Sequence, residues 1–189
     1  MRVINKDELY KRKSDFLEVL NSGILFIYPT DTIYGIGCNA THCEAIKKLR
    51  QVKKRPDMPF SVIAPNKEWI INNCELPDNY EKWLNLLPGP YTLILKLKNR
   101  NAISREVSPN RDTVGVRIPN HWISEIVSEL NTPIITTSAN VSGEDFMTSL
   151  EDLSSEIKHS TQIIIYEGEK PGRPSKIIDL TAGEKIIER

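Results

Sequence analysis

Ile24-Leu25-Phe26-Ile27-Tyr28-Pro29-Thr30-Asp31-Thr32-Ile33-Tyr34-Gly35-Ile36-Gly37 is the stretch that decides the fold. Residues 24–28 form a continuous apolar run stopped by Pro29, which lacks the amide hydrogen a sheet ladder needs, so the run reads as a buried strand. A hydroxyl-rich turn, Thr30-Asp31-Thr32, leads into a second strand over 33–37, where two glycines allow close backbone approach. With the adjacent late strands, this strand-turn-strand opening implies a mixed sheet.

Outward from it, Thr41-x-x-Glu44 spells a capping box, and Ala45, Ile46, Leu49 and Val52 follow at helical spacing until Pro56. Residues 60–64 read as a strand, followed by two helical stretches. The second is opened by Asp78-x-x-Glu81 and buried through Trp83, Leu84 and Leu87. Pro88-Gly89-Pro90 turns the chain into a strand over 91–97. Residues 113–118 alternate, with Val114, Val116 and Ile118 on one face and Thr113, Gly115 and Arg117 on the other. Trp122, Ile123, Ile126, Val127 and Leu130 mark an amphipathic helix. A strand over 134–137 runs into Ser138-Ala139-Asn140-Val141-Ser142-Gly143. A helix carrying Leu150, Leu153 and Ile157 and strands over 162–166, 176–180 and 184–187 complete the chain. The expected fold is a layered α/β (α+β) arrangement, one domain over residues 1–189.

Composition narrows the function classes. At 189 residues the chain is near the size of one domain and buries enough surface to need no disulfide or metal staple. Hydrophobic residues make up 39% and charged residues 26%, ordinary for a soluble globular protein. Lys+Arg and Asp+Glu each total 25, so affinity for anions must come from local clustering. Three irregularly spaced cysteines, Cys38, Cys43 and Cys74, fit a reducing cytosol and not a disulfide framework. Cys38, His42 and Cys43 lack the paired spacing of a zinc site. No apolar run approaches the ~18 residues of a membrane span, and the polar start is unlike a signal peptide. A cytoplasmic protein without membrane attachment is expected.

Three segments could carry chemistry. In Lys47-Lys48-Leu49-Arg50-Gln51-Val52-Lys53-Lys54-Arg55, six of nine residues are cations. Helix-dipole attraction and a solvated face account for Lys47, Lys48 and Arg50. Lys53, Lys54 and Arg55 crowd the helix exit, where an anion would relieve their repulsion. The loop at 138–143 sets hydroxyls, an amide and a glycine at the end of an apolar strand, a neutral cradle for phosphate or carboxylate or else a capped turn. Arg117 sits in mid-strand beside Gly115 and must meet a partner, either a structural acid or a ligand. Gly35-Ile36-Gly37-Cys38-Asn39-Ala40 matches a relaxed dinucleotide fingerprint, but the strand before it ends too early and the acid expected after the next strand is missing. There is no P-loop.

Taken together, Tyr28-Pro29-Thr30-Asp31-Thr32-Ile33-Tyr34-Gly35-Ile36-Gly37, Lys53-Lys54-Arg55-Pro56, Pro88-Gly89-Pro90-Tyr91-Thr92-Leu93, Thr113-Val114-Gly115-Val116-Arg117-Ile118-Pro119, Ser138-Ala139-Asn140-Val141-Ser142-Gly143 and Ser175-Lys176-Ile177-Ile178-Asp179-Leu180-Thr181 resemble the YrdC-like family of threonylcarbamoyl-AMP synthases. The matches occur in the family's order, from about residue 24 onward. The resemblance implies a twisted mixed β-sheet flanked by helices around a deep basic cavity. It implies ATP, L-threonine and bicarbonate as substrates, Mg²⁺ with the ATP, and threonylcarbamoyl-AMP as the product for tRNA modification. Lys53 and Arg55 would be catalytic and, with Ser138 and Asn140, would handle phosphate. Thr113 and Arg189 would add nucleotide contacts. Thr32, Arg117, Thr136 and Ser175 would hold threonine, Arg117 taking its carboxylate. A downstream threonylcarbamoyl-transferase complex and tRNA or double-stranded RNA are the implied partners.

The chain departs from the family pattern at Met58, Ile63, Phe146 and Lys176, positions that bear some likeness to YciO-type paralogues. Its length matches the short, single-domain form. A paralogue that binds or hydrolyses the adenylate, and a non-catalytic RNA-binding module, are the alternatives to a synthase.

Overall fold

The computed structural model describes residues 1–187. Ten strands, β1 (Arg2–Ile4), β2 (Phe26–Tyr28), β3 (Gly35–Gly37), β4 (Ser61–Ile63), β5 (Tyr91–Lys96), β6 (Thr113–Arg117), β7 (Ile134–Ser138), β8 (Ile163–Ile165), β9 (Lys176–Asp179) and β10 (Lys185–Ile187), form one sheet. Their order is β1-β8-β2-β3-β7-β4-β6-β5-β9-β10. Both parallel and antiparallel pairs occur: β2 runs antiparallel to β3 and parallel to β8, so the sheet is mixed as expected.

Period-2 alternation explains the layering. Phe26 and Tyr28 of β2, Ile63 of β4 and Ile134 of β7 pack on one face, against α1 (Lys6–Lys11), α2 (Lys13–Asn21) and α6 (Ile123–Leu130). Ile27, Val62 and Ile135, the neighbours in sequence, pack on the other face. There they meet α3 (Cys43–Val52), α4 (Lys67–Asn73), α5 (Tyr80–Leu84) and α7 (Ser155–Ser160). Ser61, Gly115 and Thr136 align across β4, β6 and β7. They lie two residues from Ile63, Arg117 and Ile134 and therefore on the same face as α6. Lacking bulky apolar side chains, they offer no helix a surface to bury, and a hollow lies over them.

Several local expectations need correction. Strand β1 was not anticipated, because only Ile4 of its three residues is buried and its pairing with β8 is a long-range contact. Helix α1 begins at an Asn5–Glu8 capping box, a legible signal that went unread. The cap of α3 is His42, whose Nδ1 accepts the Ala45 N–H. Thr41 instead donates its hydroxyl to Asn39 Oδ1 at 2.8 Å. Asp78 opens no helix, since α5 starts at Tyr80 without a side-chain cap. Leu150 and Leu153 precede α7, because Asp152 folds the chain into a turn on the Thr148 and Ser149 amides and Ser154 then caps the helix.

Candidate functional site

The hollow is a cavity of about 190 Å³ lined by Thr30, Thr32, Tyr34, Ser61, Thr92, Phe146 and Ser175, with Arg117, Thr136 and Ser138. Its volume suits a small polar molecule and not a whole nucleotide. Hydroxyls dominate the lining, and Arg117 is its only cation among the described residues, so this part of the site is neutral-polar where a basic cavity was expected.

Arg117 is 5% exposed. Its Nη2 meets Asp31 Oδ1 at 2.5 Å, and its Nη1 donates to Thr32 Oγ1 at 3.3 Å. The other Asp31 oxygen accepts the Asn120 N–H at 2.9 Å. Of the two partners the sequence left open for Arg117, the folded chain supplies the acid. The turn that presents Asp31 is fixed from within: Thr30 Oγ1 accepts the Thr32 N–H at 3.1 Å and donates to the Ile33 carbonyl at 2.7 Å.

A late loop closes one side. The Tyr34 hydroxyl donates to the Gly168 carbonyl at 2.7 Å and accepts the Glu167 N–H at 3.1 Å. Tyr34 also stacks on Tyr166. Gly172 then passes so close to Thr32 that a Cβ would stand 1.9 Å from its carbonyl oxygen. This places Ser175 in the cavity, its Oγ 2.8 Å from Thr92 Oγ1.

The cation run is far less open than its sequence suggests. Arg50, expected on a solvated face, is 6% exposed. It donates to the carbonyls of Arg55, Pro56 and Met58 and to those of Glu106 and Val107, pinning the loop that follows α3. Lys53 is 1% exposed. Its ammonium donates to the carbonyls of Ser138 and Asn140 at 2.5 and 2.7 Å and to Asn140 Oδ1 at 3.2 Å. Burial first, then the neighbouring Arg55 charge, pushes its pKa down to about 7. Lys47 pairs with Glu44 and Lys54 with Glu156. Arg55 donates to the Pro59 carbonyl and lies over the Phe60 ring. The expected crowd of unrelieved charges at the helix exit is therefore mostly committed within the chain.

The fold brings together Thr32, Arg117, Thr136, Ser138 and Ser175 around one cavity. Lys53 and Asn140 are not in its lining but hold the Ser138 loop from behind; Ser138 Oγ donates to Asn140 Oδ1 at 2.5 Å. Thr113 stands at the opposite end of β6 from Arg117, about 13 Å away along the strand. Arg189 lies outside the described residues. Sequence reasoning missed Asp31, Thr30, Ser61 and Thr92 as site residues. The hydroxyl-rich turn was noted, but nothing local shows that Asp31 reaches a strand 86 residues later.

Comparison with known proteins places this geometry. The pattern of the Sua5/YciO/YrdC family, described as telomere recombination, matches residues 18–189. A Methanocaldococcus jannaschii protein provisionally named threonylcarbamoyl-AMP synthase is 35% identical over 97% of this chain and 87% of its own length. A Pyrococcus abyssi threonylcarbamoyl-AMP synthase is 34% identical over 90% of this chain, which spans only 51% of that relative. The structure of P. abyssi Sua5 complexed with L-threonine superposes with a TM-score of 0.84 at 31% identity, over 95% of this chain and 54% of that one. Escherichia coli YciO, at 23% identity and a TM-score of 0.80 over 93% of this chain and 87% of its own, shares the fold. The chain belongs to the Sua5/YciO/YrdC family.

Proposed function

We propose that the chain is an L-threonylcarbamoyladenylate synthase, a nucleotidyltransferase joining L-threonine, bicarbonate and ATP. The observation that carries this reading is the hydroxyl-lined cavity around Arg117, in a chain that is 34 and 35% identical to proteins named for that activity. Identity to YciO is lower, at 23%, which favours the synthase over the paralogue.

In this reading the cavity holds threonine. Arg117, oriented by Asp31, presents its guanidinium to the carboxylate, with Thr32, Thr136 and Ser175 around it. The amine nitrogen bonds to the carbon of bicarbonate with loss of water, giving a carbamate. A carbamate oxygen then bonds to the α-phosphorus of ATP as the bond to the β-phosphate bridging oxygen breaks, and pyrophosphate leaves. Negative charge spreads over the phosphoryl oxygens, so fixed donors and cations are what the chemistry requires. In this reading Ser138, in the cavity lining, and Asn140, both held by Lys53, serve that purpose with Arg55, and Thr113 faces the nucleoside. Arg189 is assigned to the nucleotide from sequence alone. No protein nucleophile is required.

Among the described residues no group of three or more His, Cys, Asp or Glu side chains could hold a metal ion. In this reading Mg²⁺ accompanies ATP as part of the substrate. No helix among the described residues is long and apolar enough to cross a membrane; a cytoplasmic site of action belongs to this proposal. The adenylate is a reactive mixed anhydride, and a transferase complex acting on tRNA is its consumer in this reading. The burial of Arg50 and Lys53 removes two of the six cations of the run from any RNA-binding surface.

Pyrophosphate release from ATP, measured with and without threonine and bicarbonate, tests the proposal. Release that requires both is the expected result. Release indifferent to threonine would overturn it.

A further inference from the structure

Three hydroxyl side chains of the cavity lining, Ser61, Thr136 and Thr137, have no hydrogen-bond partner among the described residues, and Ser61 is the one for which a neighbouring strand makes room. Thr30 donates to the Ile33 carbonyl, Thr92 and Ser175 share a hydrogen bond, and Ser138 donates to Asn140. Ser61 also lines the cavity, yet no hydrogen bond among the described residues uses its side chain.

Its placement is built in. Ser61 sits at the middle of the sheet, opposite Thr136 on one side and Gly115 on the other. A Cβ at Gly115 would stand 2.5 Å from Ser61 Oγ, so β6 carries glycine where that hydroxyl needs room. Ile63, the other residue β4 turns to this face, is fully buried in the core. Ser61 is thus the one polar group that β4 offers to the cavity.

We propose that Ser61 is a specificity-determining residue, its Oγ hydrogen-bonding the side-chain hydroxyl of the amino-acid substrate. This rests on the reading of the chain as a threonine-using synthase. Once substrate fills the cavity and displaces water, the Ser61 hydroxyl needs a partner. A hydroxyl-bearing amino acid supplies one. Valine, of the same shape, leaves the Ser61 hydroxyl unpaired and is rejected for that reason.

Pyrophosphate release by the wild-type chain, Ser61→Ala and Ser61→Cys, with threonine or valine and with melting curves alongside, tests this. The expected result is a roughly three- to tenfold rise in KM for threonine in both variants, the scale of one neutral hydrogen bond. The KM for ATP should hold, and the preference for threonine over valine should narrow by a similar factor. The cysteine variant preserves volume, so a shared loss reports the hydrogen bond and not a hole. An unchanged threonine-to-valine ratio in a folded variant overturns the proposal, as does melting of both variants below the assay temperature. A wild-type chain inactive with threonine would sink the synthase reading itself, and that outcome is visible before any variant is compared.

Discussion

Asp31 Oδ1 and Arg117 Nη2 lie 2.5 Å apart, with side chains only 10 and 6% exposed. A turn residue thus supplies the acid for a buried cation at the end of β6. Removing one member of such a pair strands the other charge away from water, which costs more than the pair itself contributes. Asp31→Ala is expected to lower stability by about 3–5 kcal/mol, read from chemical denaturation. A loss under ~1 kcal/mol would mean that Arg117 is solvated in solution and the buried pair is not maintained.

Arg117→Lys tests the ligand side of the same residue. Lysine keeps the charge but loses the planar fork, so KM for threonine should rise roughly ten- to a hundredfold while that for ATP changes little. Titrating each substrate against wild type and variant separates the two effects. Equal shifts for both substrates would remove Arg117 from the amino-acid pocket.

Lys53 is expected to stabilise the loop after β7. Its ammonium serves two carbonyls and one amide oxygen, and Lys53→Met leaves all of them unserved at a cost of about 1–3 kcal/mol. A pH signature follows from its pKa, lowered to about 7 by burial and then by Arg55. The unfolded value is about 10.4, so between about 7 and 10.4 the folded chain binds fewer protons than the unfolded one. The contribution of this group to stability therefore rises with pH across that window, and its burial penalty is fully present below it. The difference in Tm between wild type and Lys53→Met should grow as the pH is raised from roughly 7 to 9. A difference independent of pH would show that Lys53 does not titrate there.

Two glycines should respond differently to alanine. A Cβ on Gly37 would lie 1.9 Å from the Ile135 carbonyl oxygen, so β3 and β7 must separate to admit it, at about 2 kcal/mol or more. Gly143 has open space around it but φ +91°, so Gly143→Ala meets only backbone strain, about 1 kcal/mol. Comparable Tm losses in the two variants would contradict this packing of β3 against β7.

Tyr34→Phe deletes the hydroxyl that joins the residue before β3 to the Glu167–Gly168 backbone. The expected cost is about 1 kcal/mol. Limited proteolysis should cut the loop between 167 and 175 faster than in wild type, with a higher KM for threonine because Ser175 is less well held. Unchanged cleavage would mean that the Gly172–Thr32 contact alone anchors the loop.

The sequence by itself determined the mixed sheet, nearly all of its strands and the two faces of the strand at 113–118, because period-2 burial and Pro or Gly stops are local signals. It also singled out, through a family resemblance, Thr32, Arg117, Thr136, Ser138 and Ser175, which the fold gathers around one cavity. Only the tertiary structure decided what those side chains touch. Arg50 reads as a solvated cation and Lys53 as a cation awaiting an anion, yet both are buried on carbonyl oxygens. Carbonyls leave no mark in the sequence, and the loops that present them lie as far as 87 residues away. Asp31 and Ser61 went unread for the same reason: the meaning of a carboxylate or hydroxyl depends on which strand lies opposite, and that is fixed by sheet order.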